Sequence, residues 1–182
     1  MSFPVYFDTC ALYGISLGDL FLRLAENDAF RPLWSSHVLD ELSRNLASRV
    51  GDAAAARRVD AMRTAFPEAE VVGYESLIDA MTNHPKDRHV LAAAVRAGAE
   101  VIVTFNLADF PAESTAPFDL TAVHPDEFLL NELDLHPRHV AQALGHQVAA
   151  SHRPRLTLSD LLDRLSRCGV PSFAAACARL DC

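Results

Sequence analysis

The 182-residue chain reads as a three-layer α/β/α domain with a mainly parallel sheet of about five strands, followed by an all-helical extension. Three observations predict this. Short runs of branched and aromatic residues recur along the first two-thirds of the chain, helical-period segments separate them, and beyond Asp126 only the helical period remains. The boundary is therefore drawn between a domain over residues 1–126 and an extension over 127–182.

The first run, Val5-Tyr6-Phe7, is a strand that ends at Asp8. Leu17, Leu20, Phe21 and Leu24 then repeat at helical spacing. A second strand is centred on Leu33-Trp34, and Ser35 or Ser36 is placed to cap a helix striped by Val38, Leu42 and Leu46. Further strands are read at Glu70 to Val72, Val101 to Phe105 and Leu120 to Val123, with a helix through Val90, Leu91 and Ala94 between the first two. Parallel strands require such crossovers. In the tail, helices are expected over 127–133, 139–150, 158–168 and 172–180. Prolines at 137, 154 and 171 punctuate them, and Thr157, Ser159 and Ser172 offer caps.

Half of the residues are apolar, enough to bury a core without staples. The four cysteines, Cys10, Cys168, Cys177 and Cys182, form no CxxC pair and no zinc-type spacing, and no stretch is long enough to span a membrane. A reduced, cytoplasmic protein without a membrane partner is the simplest expectation. A formal charge of −8 argues against gripping nucleic acid by bulk electrostatics, yet 15 of the 16 basic residues are arginine, with Lys86 the exception, so local basic patches retain a role.

Four acids stand where strands or helices meet loops beside apolar residues. Asp8 ends a buried strand, where a carboxylate must be paired, metal-bound or solvated at a cleft. It can also cap the next helix, as can Thr9. Glu41 falls at the border of its helix's apolar stripe, whereas Asp40 points away; Asn45 shares its face one turn on. Asp87 opens a helix and, taken alone, is better read as its N-cap. Asp109 follows the most apolar strand, beside Thr104 and Asn106. If the strand ends converge, these oxygens suit a hard cation such as Mg²⁺ or Mn²⁺ at the C-terminal edge of the sheet. Cys10 adjoins the site among acids that raise its pKa, and it is read as core. Of the eight histidines, His136, His139 and His146 lack a third ligand and are read as surface, while His84 and His89 flank Asp87.

The segments Val5-Tyr6-Phe7-Asp8-Thr9, Ser35 to Asn45, Asp87 to Ala94 and Val101 to Pro111 resemble, in order, the successive motifs of the PIN-domain nucleases. Within that superfamily the chain is most similar to VapC-type toxins with a helical C-terminal extension. The resemblance implies that Asp8, Glu41, Asp87 and Asp109 are the catalytic, Mg²⁺- or Mn²⁺-holding acids of a ribonuclease. Thr9, Ser35, Asn45, Thr104 and Asn106 would then meet RNA phosphates, with Arg44, Arg49 and Arg88 as basic flanks. It also implies a cognate antitoxin and a homodimer. Asn106 departs from the commonest pattern, which has an aspartate there, so one firmly held metal is expected. Three rivals remain open: a haloacid-dehalogenase-like phosphatase, disfavoured because Cys10 replaces the second acid it needs; a PIN-like binding module weakened by Asn106; and an RNA-processing nuclease outside any toxin pair.

Overall fold

The computed structural model describes residues 2–152 and 154–179. Five strands, β1 (Pro4–Phe7), β2 (Arg31–Ser35), β3 (Glu70–Val71), β4 (Val101–Val103) and β5 (Thr121–Val123), form one sheet in the order β3-β2-β1-β4-β5. Every pairing is parallel. Helices make the crossovers: α1 (Thr9–Tyr13) and α2 (Ile15–Glu26), then α3 (Ser36–Val50) and α4 (Asp52–Ala65), then α5 (Arg88–Arg96), then the single turn α6 (Ala112–Thr115). The order reverses at β1, which puts a switch point at the C-terminal ends of β1 and β4.

Local chemistry accounts for these elements. Proline at position 32 is tolerated inside the sheet because even-numbered residues of β2 point their N–H toward β3; Trp34 bonds Ala69 there at 3.0 Å, whereas β3 has not begun beside Pro32. Side chains alternate along β1. Phe7 meets Phe21 at 4.9 Å and Phe128 at 6.2 Å between ring centroids, and Phe30 joins that cluster. Ser35 caps α3, its hydroxyl accepting from Val38 N at 3.3 Å.

The tail forms α7 (Pro125–Leu135), α8 (Pro137–Ala150), α9 (Leu158–Arg167) and α10 (Pro171–Arg179). The end of the last expected helix, Leu180, lies outside the described residues, as does Cys182. Thr157 and Asp160 close a capping box on α9. At α10 the expectation of a Ser172 cap is corrected, since Ser172 is inside the helix. The Asp126 carboxylate of α7 caps it instead, accepting from Ser172 N at 3.0 Å and Phe173 N at 2.8 Å. Tail and sheet domain are also tied where Gln147 donates to Ser16 O at 2.9 Å. The α9–α10 turn seats on the loop after β4: Gly169 has φ +97°, and a Cβ there would lie 2.7 Å from the Phe105 ring.

Glu132 of α7 is 1% exposed, and its Oε2 has no hydrogen-bond partner. Burial raises its carboxyl from 4.5 to about 7. A raised folded-state value means stability that is full below pH 4.5 and is lost as pH rises through about 7. Glu132→Gln should therefore melt several degrees above the parent at about pH 8 and lose this difference at about pH 4, read by thermal denaturation at both values.

Candidate metal centre

Asp8 extends the β1–β4 ladder by one backbone bond, N to Val103 O at 3.1 Å, and this carries its side chain to the C-terminal edge of the sheet. There Oδ1 accepts from Thr9 N at 2.7 Å, while Oδ2 accepts from the Thr104 hydroxyl at 2.8 Å and from the Cys10 thiol at 3.1 Å. The carboxylate is thus both helix cap and strand-edge group, and its orientation is set by the protein. Cys10 is half-buried at the rim, contrary to the expectation of a core position. Burial and then the Asp8 charge push its thiol up to about 12, so it is no nucleophile.

Asp87 overturns the capping expectation. It occupies the N-cap position of α5 but makes no side-chain cap bond. The residue is 6% exposed, and its buried Oδ2 has no hydrogen-bond partner, with His84 Nδ1 standing 3.8 Å away. Burial first, and then the charges of Asp8 and Asp109, raise its carboxyl from 3.8 to about 6. A backbone bond of 3.2 Å from His84 N to Asp109 O braces the two loops that carry the acids. Ligand atoms of His84, Asp87 and Asp109 all lie within 4.8 Å of one another. An orphaned carboxylate oxygen facing further acids and an imidazole is a donor set that fits a divalent cation.

Glu41 is set apart. Its Oε2 accepts from the Thr9 hydroxyl at 3.2 Å, which links it to Asp8 through one residue. Its close neighbours are His37, one turn earlier on α3, and His89 of α5, and the ligand atoms of these three form a second group within 4.8 Å. The two imidazoles stack at 3.8 Å between centroids. Burial, then His37, lowers His89 to about 4, leaving a neutral ring with an unpartnered buried Nδ1. Within that distance Asp87 and Asp109 group with His84 and Glu41 groups with His37 and His89, while Asp8 is tied to Glu41 through Thr9 and acts on Asp87 through its charge.

The expected phosphate contacts separate by accessibility. Ser35 and Thr104 are fully buried, with hydroxyls committed to Val38 N and Asp8, so neither faces a ligand. Thr9 is 3% exposed and serves Glu41. Asn45 and Asn106 are exposed and line, with Thr9, Glu41 and Lys86, a cleft of about 340 Å³. Arg44 is exposed on α3 but does not line that cleft, and half-buried Arg88 directs Nε to Asn83 O at 3.5 Å. His37 went unnoticed in the sequence, although its i, i+4 spacing to Glu41 was the available signal. His136 and His139 stack at 5.4 Å and are half-buried, not fully on the surface; no third ligand joins them among the described residues.

Because Asp87 is crowded by like charge, Asp87→Asn should stabilise the metal-free protein. The folded-state value is raised, so the carboxyl's penalty is absent below pH 3.8 and develops as pH rises through about 6. In chelator at about pH 8 the variant should melt roughly 2 to 6 °C above the parent, with a smaller gain at about pH 5. Equal melting temperatures at the higher pH would mean that the acids do not repel one another.

A family described as PIN domain matches residues 4–108, and a family described as VapC50 C-terminal domain matches residues 125–179. The first match takes in Asp8, Glu41 and Asp87 and stops one residue short of Asp109. The Mycobacterium tuberculosis protein named "Putative ribonuclease VapC50" is 51% identical over 108 residues, 59% of this chain and 63% of that relative. The chain thus spans less than two-thirds of the relative's length. No solved structure matches. Since more than half of its residues match the PIN domain, and that match carries the strand-end aspartate around which the site is built, the chain belongs to the PIN-domain family.

Proposed function

We propose that the protein is a metal-dependent endoribonuclease, the toxin of a toxin–antitoxin pair, acting in the cytoplasm on RNA and held in check by a cognate antitoxin. Family membership and the name of its mycobacterial relative support this reading. The observation that carries it is the buried Asp87 oxygen at the sheet edge, which has no hydrogen bond, lies 3.8 Å from His84 Nδ1 and feels the charges of Asp8 and Asp109. A carboxylate left unsatisfied in that way is a cost to folding unless a cation occupies the site.

In this reading Asp8, Asp87 and Asp109 hold the cation, with His84 alongside. Carboxylate donors suit Mg²⁺, and an adjacent imidazole also accommodates Mn²⁺. When bound, the ion polarises the scissile phosphate and lowers the pKa of an attacking water. Asp8 is pre-oriented by Thr104, Cys10 and Thr9 N, so the site is assembled before substrate arrives. Glu41, whose Oε2 accepts from the Thr9 hydroxyl, would orient that water and take its proton as the water oxygen bonds to phosphorus and the ester bond breaks. Asn45, Asn106 and Lys86 line the cleft and offer donors to phosphate oxygens. An amide at Asn106 adds no negative charge on that wall, which eases the approach of a polyanion. A homodimer follows from the family resemblance alone.

The test is cleavage of a mixed single-stranded RNA pool by antitoxin-free protein with Mg²⁺, with Mn²⁺ and with chelator. Cleavage should require metal and fall at least about 100-fold in Asp8→Asn, while both proteins remain folded by circular dichroism. A folded wild type that is inert in every metal would sink the nuclease reading and favour an RNA- or protein-binding role for the same cleft.

A further inference from the structure

A second and larger cleft, of about 730 Å³, adjoins the first, and Cys10 and Tyr13 line both. Three guanidiniums line it: Arg49 at the end of α3, and Arg164 and Arg167 on α9 of the tail. None of them forms an ion pair with a carboxylate among the described residues. Asp160, one turn before Arg164, is held in its capping box on Thr157 and interacts with the Arg164 charge without forming an ion pair. The Arg49 guanidinium lies 5.2 Å from the centroid of the Tyr13 ring, so an aromatic face and a cation meet where the two clefts join.

We infer that this arginine-lined cleft is the track for the single-stranded RNA on one side of the scissile bond, and that the helical tail is therefore part of the substrate-binding surface. Charge is the first argument. The cleft at the acids repels phosphate, and a chain of formal charge −8 has no bulk attraction for RNA, so the strand must find cations close to the reaction site. Continuity is the second, because a strand leaving the acids past Cys10 and Tyr13 enters the arginine cleft directly. Chemistry is the third: guanidiniums grip phosphates in bidentate fashion, and an aromatic ring beside them is a stacking surface for an unpaired base. The tail's position is enforced locally. The α9–α10 turn is pressed on Phe105 at Gly169, and Cys168 lies against Gly14, whose added Cβ would be 3.5 Å from the sulfur. Arg164 and Arg167 thereby lie five and two residues before a close contact with the acid-bearing loop at Gly169.

The inference rests on the nuclease reading for its substrate class, and the experiment separates the two. Binding of a fluorescently labelled ten-nucleotide single-stranded RNA is measured by anisotropy in chelator, where no cleavage is needed, for wild type, Arg164→Gln/Arg167→Gln and the control Arg31→Gln/Arg96→Gln. The control removes the same charge from exposed positions at the start of β2 and the end of α5, away from both clefts. The tail variant should bind about 10-fold or more weakly, and its salt slope should fall by about 1.4, two phosphate contacts at 0.7 each. The control should change less than about 2-fold. Equal effects in the two variants would overturn the inference even if wild type cleaves RNA, whereas selective loss in the tail variant upholds the track even if cleavage is never seen. A ten-residue glutamate peptide that binds as tightly as the RNA and displaces it would also overturn it, by marking the cleft as a site for an acidic protein segment.

Discussion

The site depends on one placement: a carboxylate at the end of the central strand, locked by donors from the strand beside it. Asp8 continues the β1–β4 ladder through its own N–H, and the Thr104 hydroxyl just past β4 fixes Oδ2. Neighbouring parallel strands end at the same edge, so every group delivered by the loops after β1 and β4 arrives within reach of Asp8. The charge that results is offset by few cations. Lys86 is the one nearby cation that acts on Asp87, and it is outweighed by burial, Asp8 and Asp109. Burial, with an edge so loaded with negative charge, raises the Asp87 carboxyl, and the same charge makes the site suitable for a divalent ion.

Around that centre the protein separates fixed groups from accessible ones. Ser35, Thr104 and Thr9 are buried and spend their hydroxyls on holding helices and acids in place. Asn45, Lys86 and Asn106 face the cleft. Hydroxyls at buried strand ends are reliable orienters because their partners cannot be exchanged for water. The two imidazole-bearing groups come from different elements: α3 and α5 supply His37, Glu41 and His89, while the loops before α5 and after β4 supply His84, Asp87 and Asp109.

The tail is held to the sheet domain by polar bonds and by close backbone approach more than by charge. Gln147 reaches Ser16 O, and Gly169 admits the Phe105 ring where a side chain would collide. These contacts converge on the α1–α2 junction and on the loop after β4, the same two places that border the acids. A segment that begins as an appendage in the sequence thus ends as one wall of the cleft that adjoins the acids.

The alternation of strand and helix was legible in the chain because branched and aromatic runs at Val5, Trp34 and Val101 leave few other ways to bury their side chains. The four acids were legible too, since a charged residue at the end of an apolar run must have a reason to be there. Capping could not be judged in the same way. Asp87 has the position of a cap and does not act as one, while Asp126 caps a helix 46 residues away, and neither fact leaves a trace in local spacing. The division of the acids into two groups, the meeting of His89 with Glu41 and of Asp109 with Asp87, and the approach of Arg164 and Arg167 to the cleft all depend on how separate elements dock. Periodicity and end signals are properties of neighbouring residues and can be read along the chain; distances between loops on different strands exist only once the sheet has been wound and the tail packed against it.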